Sequence, residues 1–538
     1  MSGTAHALDA SHTLWELVAR RAARSPDTTA LIQAGETPDQ DSSLTFGQLR
    51  ERAERTAAGL YERRVRPGCT VAWQLPTRIE TVVLSLALAR LGVRQTPLIP
   101  VHRDREVALA LRATGASHYV HPGHWRGFDY GAMAARLAAG HSLAPRLLTA
   151  YDSLPEAPAD SLREAPTDSS REAPSAALPP VPAPADGAEV RWIYWTSGTT
   201  SAPRGVRHTD RSLIAGGSCL AHALRLRPDD VGSIAFPYAH IGGPDYLVML
   251  LLYGFPAVLF EKFALPGALD AYRRHGVTTA GGSTAFYSMF LAEQRKQPGR
   301  RLIPTLRLLT GGGAPKPAEL YHEVVTEMGC ELAHGYGMTE APMITMGSPD
   351  DTPEHLATTE GRPPEAMEIR VTAPDGTPLP PDTEGEVRLR GEAVCQGYLD
   401  AAQTAGAFDQ DGFLRTGDVG RLLTSGHLVL TGRTKDIIIR KGENISAKEV
   451  EQLLYEHPAV GDAAVIGLPD RERGERVCAV IEQPGGAPPV TLAELTAYLR
   501  GEGLAAHKLP EQLEVVSALP RNDALRKVLK YRLRERFS

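Results

Sequence analysis

Alternating strand and helix patterns between residues 190 and 281 constrain the fold more than any other feature of the sequence. Short apolar runs alternate there with segments of helical spacing, which is typical of βαβ units in a largely parallel sheet. The predicted strands are Val190–Trp195, Ser233–Pro237, Ala257–Phe260 and Thr278–Gly281, and the predicted helices are Ser212–Leu226, Tyr246–Tyr253 and Ala268–His275. We therefore predict an α/β protein.

The remaining sequence indicates two domains. From Gly385 onward, short strands with Gly and Asp turns predict a β-rich subdomain, which is followed by a small α+β unit. We predict a large N-terminal domain over residues 1–434 and a small C-terminal domain over residues 435–538. Residues 152–187 are rich in Pro, Ala and acidic residues and lack aromatic ones, so we predict a disordered surface insertion there.

Composition argues against several classes of protein. Lys and Arg number 58 and Asp and Glu number 64, and this net charge of −6 argues against a nucleic-acid partner. The five cysteines are far apart and form no C-x-x-C pair, which favours a reducing compartment such as the cytoplasm. We expect neither a signal peptide nor an integral membrane protein, because no apolar run approaches the roughly 20 residues that span a bilayer.

Three evenly spaced histidines, His118, His121 and His124, are separated in part by Pro122 and Gly123. Since no carboxylate or cysteine nearby completes a ligand set, we predict a loop there rather than a metal site.

A strand that ends at Trp195 leads into a loop of small and hydroxyl-bearing residues. Residues 195–206 read WTSGTTSAPRGV. Glycines let backbone N–H groups turn toward an anion, hydroxyls add donors and Arg204 adds positive charge. The loop therefore has the components of a phosphate-binding loop, although it lacks the G-K-[ST] of a Walker A motif. On composition alone, a Ser/Thr-rich surface turn is the alternative.

This loop resembles the phosphate-loop signature of the adenylate-forming superfamily, which comprises acyl-CoA synthetases, adenylation domains of peptide synthetases and luciferases. Other motifs of that superfamily follow in its order. They are GGGAP at 311–315, HGYGMTE at 334–340, TGD at 416–418, GRTKD at 432–436, RKGENISAKEVE at 440–451 and VIGLPD at 465–470. The resemblance covers nearly the whole chain and is closest to ligases for alicyclic or medium-chain acids.

The resemblance implies that the chain joins a carboxylic acid to AMP with ATP and Mg²⁺, and then transfers the acyl group to a thiol. It implies that Tyr336 stacks on adenine, Thr339 donates to the α-phosphate, Asp418 accepts the ribose hydroxyls, and Glu340 with Thr200 holds Mg²⁺. The other implied nucleotide, hinge and thiol-channel residues are Thr196, Ser197, Gly198, Thr199, Arg204, Gly313, Ala314, Pro315, His334, Gly335, Gly337, Arg433, Lys435, Gly442 and Asn444.

A segment near the C-terminus, LPRNDALRKVLK, resembles the motif that carries the catalytic lysine of this superfamily, and the resemblance implies Lys527. Its role would be to neutralise charge between the substrate carboxylate and the α-phosphate. One extra residue separates Lys527 from Pro520, and Arg526 replaces the usual Gly, so Arg526 and Lys530 stay open as alternatives. Apolar residues at helical spacing predict an amphipathic helix here, and they are Leu525, Val528, Leu529 and Leu533.

The segment FPYAHIGGPD at 236–245 resembles the part of the superfamily that lines the acyl pocket, with His240 as a catalytic residue. Adenylation domains that select α-amino acids carry Asp where Ile241 stands here, so an α-amino group lacks its usual counter-ion. Asp245 could instead face a more distant amine. The other implied pocket residues are Tyr238, Gly282, Ser283, Gly313 and Met338.

We therefore predict an ATP-dependent, AMP-forming acyl-CoA ligase that acts on a small carboxylic acid and uses CoA as the thiol. The alternative is a stand-alone adenylation enzyme that loads an acyl or β-amino acyl group onto the phosphopantetheine of a carrier protein. A third hypothesis is an adenylate-binding module without turnover, suggested by Ser201 in place of the usual loop Gly.

Overall fold

The computed structural model describes residues 11–139, 145–158, 178–196, 203–313, 316–433, 436–440, 443–471, 473–485, 489–521 and 528–538. Its α-helices are α1 Leu14–Arg24, α2 Phe46–Glu62, α3 Ile79–Arg90, α4 Asp104–Thr114, α5 Tyr130–Ala139, α6 Asp210–Ala223, α7 Gly242–Tyr253, α8 Leu265–His275, α9 Thr284–Gln294, α10 Ala318–Glu323, α11 Pro353–Thr358, α12 Ala401–Ala407, α13 Ala447–Tyr455, α14 Leu492–Gly501 and α15 Lys530–Phe537.

The strands alternate with these helices in the first half of the chain and cluster in the second. They are β1 Thr29–Gln33, β2 Ser42–Thr45, β3 Thr70–Trp73, β4 Arg94–Pro97, β5 His118–His121, β6 His124–Trp125, β7 Phe128–Asp129, β8 Arg146–Thr149, β9 Val190–Trp195, β10 Gly205–Thr209, β11 Gly232–Ile234, β12 Ala257–Leu259, β13 Thr279–Gly282, β14 Leu308–Gly312, β15 Glu331–Met338, β16 Ala341–Met346, β17 Met367–Thr372, β18 Gly385–Gly391, β19 Leu414–Leu422, β20 Leu428–Arg433, β21 Ile437–Arg440, β22 Glu443–Ser446, β23 Asp462–Asp470, β24 Gly474–Glu482 and β25 Gln512–Val516.

Three of the sheets are largely parallel, which confirms the predicted α/β class. Their strand orders are β10-β9-β4-β3-β5-β8, β11-β12-β1-β2 and β13-β14-β15-β16. The predicted βαβ units are therefore shared among three sheets rather than one, because successive strands pair with distant segments such as β1 and β4. The strands β17 to β20 form the antiparallel β-rich subdomain.

The smaller domain has its own sheet and its own hydrophobic core. Its strands are ordered β22-β21-β24-β23, and β25 pairs with β24. Helices α13 and α14 cover one face through Val450, Leu454, Leu495 and Leu499, which are all fully buried. A large domain and a small domain are thus both present. The predicted boundary falls at residues 434 and 435, which lie outside the described residues, so its position stays a prediction.

Two expectations about local structure need correction. His118 and His121 are buried in strand β5 rather than placed in a loop, because their backbones pair with β3 and β8 in a parallel sheet. The helix near the C-terminus begins only at Lys530. Val528 and Leu529 precede it, and Val528 pairs with Arg521 in a short bridge.

The proline-rich insertion is also more ordered at its edges than we predicted. Leu154 and Ala157 are buried, and Glu156 binds Arg52 at 2.8 Å and Arg55 at 3.0 Å. These apolar and ionic contacts hold the first edge of the insertion against α2. The central part, residues 159–177, lies outside the described residues. Within the part of the chain that the structure describes, we find no helix long and apolar enough to cross a bilayer.

Candidate active site

A cavity of about 1870 Å³ lies between the large domain, the antiparallel subdomain and the small domain. The carboxyl ends of β13, β14 and β15 open into it through Gly282, Gly312 and Met338. Ligands of α/β proteins commonly bind at this edge of a sheet, where the loops that follow the strands converge. The cavity is therefore the candidate active site.

Asp418 forms the centre of the polar wall of the cavity. Strand β19 carries it and pairs it directly with Arg433 on β20, whose Nε lies 2.8 Å from Asp418 Oδ1. The hydroxyl of Tyr336 on β15 donates to Asp418 Oδ2. Burial, and then the nearby Asp418 carboxylate, raise the pKa of Tyr336 well above its ordinary value, so the phenol stays protonated and donates. The three residues, each from a different motif, thus form one cluster.

Glu340 forms a second polar cluster with residues of the phosphate loop. Its Oε1 accepts a hydrogen bond of 2.8 Å from the hydroxyl of Tyr398. The guanidinium of Arg204 lies 5.3 Å from the centre of the Tyr398 ring and donates to its oxygen at 3.4 Å. Arg204 is in turn joined to Thr196 across the base of the loop, by a backbone hydrogen bond of 3.1 Å. Tyr398 therefore links the loop cation to the carboxylate expected to hold Mg²⁺.

Thr339 precedes Glu340 in the chain, and a buried histidine contacts its backbone carbonyl group. His208 Nε2 lies 2.7 Å from the carbonyl oxygen of Thr339, and its Nδ1 lies 2.9 Å from Ser212 Oγ. His208 is completely buried, and burial lowers its pKa to about 4. The neutral ring therefore fixes the backbone at Thr339 near neutral pH.

This buried histidine predicts a pH dependence of stability. The pKa of His208 rises from about 4 in the folded chain to about 6.5 when it unfolds, so the unfolded chain binds the extra proton at intermediate pH. The contribution of His208 to the free energy of unfolding is therefore fully present above pH 6.5 and is lost as the pH falls from 6.5 towards 4. We expect this histidine to remove about 2 kcal/mol from the free energy of unfolding between pH 7 and pH 5.

Urea unfolding across that pH range measures the effect. In His208→Gln the loss between pH 7 and pH 5 should be smaller by about that amount, whereas exposed His124→Gln should behave as the wild type. An equal pH dependence in all three proteins would contradict the prediction.

The acyl side of the cavity is formed by α7 and the residues just before it. His240 and Ile241 line the cavity, and burial lowers the pKa of His240 to about 4, so its ring is neutral. Asp245 lies in the first turn of α7, is 3% exposed and lines the same cavity. Its Oδ1 has no hydrogen-bond partner among the described residues. Burial raises the pKa of Asp245 well above its ordinary value, which favours the uncharged acid as long as nothing cationic faces it.

Two glycines of the neighbouring helix allow α6 to pack closely against α7, and one of them, Gly216, lies beside the carboxyl group of Asp245. A Cβ atom on Gly216 would lie 3.0 Å from Asp245 Oδ1, and one on Gly217 would lie 2.5 Å from Val248 Cβ. Helices α6 and α7 therefore pack closely because α6 carries no side chain at these positions.

The structure brings most of the predicted residues to the cavity, but it excludes one. Tyr238 packs against Trp73 with 6.1 Å between ring centres, and its hydroxyl bonds to Ser85 at 3.3 Å in the core. Thr77 Oγ1 donates a hydrogen bond to the carbonyl oxygen of Phe236 and accepts one from Tyr238 N. These two bonds fix the backbone so that the side chain of Tyr238 points into the core. The predicted residues that line the cavity are Thr196, Arg204, His240, Ile241, Asp245, Gly282, Ser283, Gly313, His334, Gly335, Tyr336, Gly337, Met338, Thr339, Glu340, Asp418 and Arg433.

Several predicted residues cannot be placed in the cavity. Those outside the described residues are Ser197, Gly198, Thr199, Thr200, Ala314, Pro315, Lys435, Gly442 and Lys527. Asn444 pairs with Ile439 through the backbone in β22. On either side of the gap that contains Lys527, Arg521 and Val528 both line the cavity. The roles of all these residues stay predictions.

The donor set at Glu340 suits a magnesium ion that also binds phosphate. Mg²⁺ prefers hard oxygen ligands and is commonly held by one or two carboxylates together with substrate phosphates. Within the described ranges, no group of three or more His, Cys, Asp or Glu side chains could hold a metal by itself. A single carboxylate beside a loop of anion-binding character fits this shared mode of binding.

Sequence reasoning missed Tyr398 and His208, which lie outside the recognised motifs and contact Glu340 and Thr339 only in the fold. It also missed Glu360 and Lys448. Glu360 is buried and lies 3.4 Å from His334 Nε2 on one side and 3.4 Å from Lys448 Nζ on the other. The only signal in the sequence was the acidic residue Glu360 itself, within TTEGRPP. This signal is weak, because a lone carboxylate is ordinarily solvated.

Comparison with known proteins places the chain in a family. Residues 18–399 match the model of the AMP-binding enzyme family, and residues 449–524 match that of the AMP-binding enzyme C-terminal domain. The salicyl-AMP ligase / salicyl-S-ArCP synthetase of Mycobacterium tuberculosis is 34% identical over 94% of this chain and 88% of that protein. The medium-chain fatty-acid–CoA ligase of Escherichia coli is 29% identical over 97% and 89%.

A solved structure agrees in fold and contains the expected ligands. o-Succinylbenzoate coenzyme A synthetase (MenE) from Bacillus subtilis, in complex with ATP and a magnesium ion, superposes with a TM-score of 0.79. It is 29% identical and covers 96% of this chain and 98% of its own. Since both family models, these relatives and the arrangement of Tyr336, Glu340 and Asp418 agree, the chain belongs to the AMP-binding enzyme family, as an AMP-forming acid–thiol ligase.

Proposed function

We propose that the protein activates a small carboxylic acid that carries an amine beyond its α-carbon. The product is an acyl-adenylate, from which the acyl group passes to the thiol of a phosphopantetheine arm. Both CoA and carrier proteins present such a thiol, and relatives of both kinds match the chain. The observation that carries the proposal is Asp245, a buried carboxyl group in the cavity wall whose Oδ1 lacks a partner among the described residues.

The position of Asp245 defines where the amine of the acid would lie. Ile241, at the position where enzymes for α-amino acids carry Asp, has helical backbone angles and immediately precedes α7 as its N-cap. Asp245 follows four residues later, so it lies on the same helix face, about 6 Å further along the axis. A counter-ion displaced by one helical turn suits an amine on the β-carbon or a more distal carbon rather than on the α-carbon.

Electrostatics supports a cationic substituent on the acid. An isolated buried carboxylate is costly, and it is retained only with a partner or as the neutral acid. A substrate ammonium would restore the charged state of Asp245, and the N-terminus of α7 would help to stabilise the anion. Neutral His240 and apolar Ile241 add no competing charge beside it. The pocket is thus suited to one ion pair, between the Asp245 carboxylate and a substrate ammonium group.

The chemistry of the first step sets the requirements at the nucleotide end. A carboxylate oxygen of the acid attacks the α-phosphorus of ATP, the bond to the bridging oxygen breaks and pyrophosphate leaves with that electron pair. Mutual repulsion of the anions opposes this step, so positive charge and positioning are needed. We propose that Arg204 and the loop grip the outer phosphates and that Asp418 holds the ribose. Glu340 would hold Mg²⁺, which supplies charge neutralisation when bound.

The direct test measures pyrophosphate release with ATP, Mg²⁺ and a panel of acids. The panel contains β-amino and ω-amino acids, their analogues without the amine, the corresponding α-amino acids, salicylate and a medium-chain fatty acid. We expect kcat/KM for the best β- or ω-amino acid to exceed that of its analogue without the amine by at least about 100-fold.

Addition of CoA or of a phosphopantetheinylated carrier protein then identifies the acceptor through thioester formation. A preference for acids without an amine would contradict the assigned substrate class. Absence of pyrophosphate release with every acid would overturn the proposed function as a whole.

Tyr398 offers a separate test of the assignment at the nucleotide end. Tyr398→Phe removes the hydrogen bond to Glu340 but keeps the ring beneath Arg204. Because hydrogen bonds to charged groups contribute about 1.5–3 kcal/mol, we expect kcat/KM for ATP to fall roughly tenfold or more. The Mg²⁺ concentration for half-maximal rate should rise as well. Tyr272→Phe, which removes a buried hydroxyl bonded to Ser233 outside the cavity, is the matched control. Equal effects of the two changes would contradict the assignment.

A further inference from the structure

One lysine of the small domain reaches across to a buried carboxylate of the large domain. Lys448, at the start of α13, places its Nζ 3.4 Å from Glu360 Oε1 and donates to the carbonyl of Leu430 at 2.7 Å. Both side chains are largely buried, with 12% and 11% of their surface exposed. An ion pair shielded in this way is screened far less by water and salt than one on the surface.

Glu360 also contacts the strand that carries the adenine-binding motif. Its Oε2 lies 3.4 Å from Nε2 of His334, the first residue of HGYGMTE. Although burial by itself would raise the pKa of Glu360, attraction to Lys448, His334 and Lys316 lowers it below its ordinary value. Glu360 is therefore a charged group that the small domain and the nucleotide strand share.

The same helix of the small domain contacts the segment next to the expected catalytic lysine. Glu451 lies one turn after Lys448 on α13, and its Oε1 accepts from Lys530 Nζ at 2.7 Å and from Val465 N at 2.6 Å. Lys530 and Val528 line the cavity that also contains Tyr336 and Asp418. A continuous path of contacts thus runs from Glu360 through α13 to the edge of residues 522–527.

We propose that Lys448 and Glu360 are positioning residues for adenylation, which hold α13, and with it Lys530, against the nucleotide end of the cavity. The proposal rests on the proposed function only in that it assumes an adenylation step. Neither side chain needs to touch the reacting atoms. Loss of their contact would let the small domain turn away from the large one. Adenylation would then be slower, whereas transfer of the acyl group from a preformed acyl-adenylate to the thiol would be unaffected.

A second lysine near Glu360 allows the contact between Lys448 and Glu360 to break and form again. Lys316 is buried close to Glu360, donates to the carbonyl of Ala357 and has its pKa lowered by burial to about 8. Removal of one partner from a buried ion pair normally leaves an uncompensated charge at a large cost. When Lys448 departs, Glu360 keeps attraction to Lys316 and His334. The large domain therefore stays intact with the small domain released.

The test separates the two half-reactions in the full-length protein. Pyrophosphate release measures adenylation with whichever acid the wild type activates, and thioester formation from synthetic acyl-adenylate measures the second step. For Lys448→Met we expect adenylation to fall about tenfold or more, with the second step within about twofold of the wild type. Lys448→Arg should recover most of the lost rate. Lys508→Met is the matched control, because Lys508 pairs with Glu449 of the same helix without crossing between domains.

Small-angle X-ray scattering with ATP gives a readout that does not depend on turnover. We expect the wild type and Lys508→Met to fit the arrangement described above, and Lys448→Met to show a larger radius of gyration. Equal losses in both half-reactions, or an unchanged adenylation rate with unchanged scattering, would overturn the role of Lys448. If the wild type activates no acid, the proposed function fails, but the scattering comparison still decides the domain contact.

Discussion

Replacement of Asp245 by Asn should abolish the preference of the enzyme for acids that carry an amine. The change keeps the size of the side chain and removes the charge that would face the ammonium. Loss of one partner of a buried charge pair costs several kcal/mol, so we expect kcat/KM for the preferred amino acid to fall by about 10² to 10³. The acid without the amine should be activated at least as well as by the wild type. Pyrophosphate release with this pair of acids measures the change in selectivity.

The pair of acids also serves as the control for misfolding. A variant that was merely damaged would lose activity with both acids, whereas removal of a counter-ion affects only the charged one. Asn is easier to bury than a carboxyl group without a partner, so the melting temperature should be unchanged or higher. If the two acids lost activity in the same proportion, Asp245 would have a structural role and the assigned substrate class would be wrong.

The change Lys527→Ala should block adenylation more than any other single substitution in the small domain. A cation placed between the carboxylate and the α-phosphate acts where charge is concentrated in the transition state, and loss of such a group costs about 10² to 10³ in rate. Thioester formation from preformed acyl-adenylate should change by only about twofold, because the phosphoryl chemistry is already complete. The two half-reactions, measured separately, give the ratio.

The neighbouring basic residues provide the comparison. Arg526→Ala should have a small effect, and Lys530→Ala should slow adenylation by less than about tenfold, because Lys530 is already paired with Glu451. A larger loss in either of these variants than in Lys527→Ala would move the catalytic role to that residue. Equal loss of both half-reactions in Lys527→Ala would show that the lysine has a different function.

Most of the residues that the recognisable motifs predicted line one cavity. Tyr336, Glu340 and Asp418 were assigned from strings of three to seven residues, and all three line one cavity. Tyr238 was assigned wrongly in the same way. Its neighbours His240 and Ile241 line the cavity, but a tight turn between Pro237 and His240 sends the tyrosine into the core. Proximity along the chain does not determine the direction of a side chain in an irregular segment.

The supporting residues could not be predicted because their partners are remote in sequence. Tyr398 and Glu340 are 58 residues apart, and Lys448 and Glu360 are 88 residues apart. Glu340 and Lys448 lie in recognised motifs, but the motifs do not identify their partners Tyr398 and Glu360, since an isolated Tyr is ordinarily a core residue and an isolated Glu a surface residue. Only the pairing of distant strands brings them together.

The amino-acid sequence by itself determined the α/β class, the order of the nucleotide-binding motifs and the chemistry of acid activation. Periodicity and local motifs carry that information, since they depend on neighbours within a few residues. The tertiary structure decided which side chains line the cavity and which make contacts between the two domains. The surroundings of two buried acidic residues show this distinction. Asp245 Oδ1 lacks a hydrogen-bond partner among the described residues, whereas Glu360 lies close to Lys448, Lys316 and His334. That difference in surroundings, rather than residue type, separates the proposed substrate contact from the proposed domain contact.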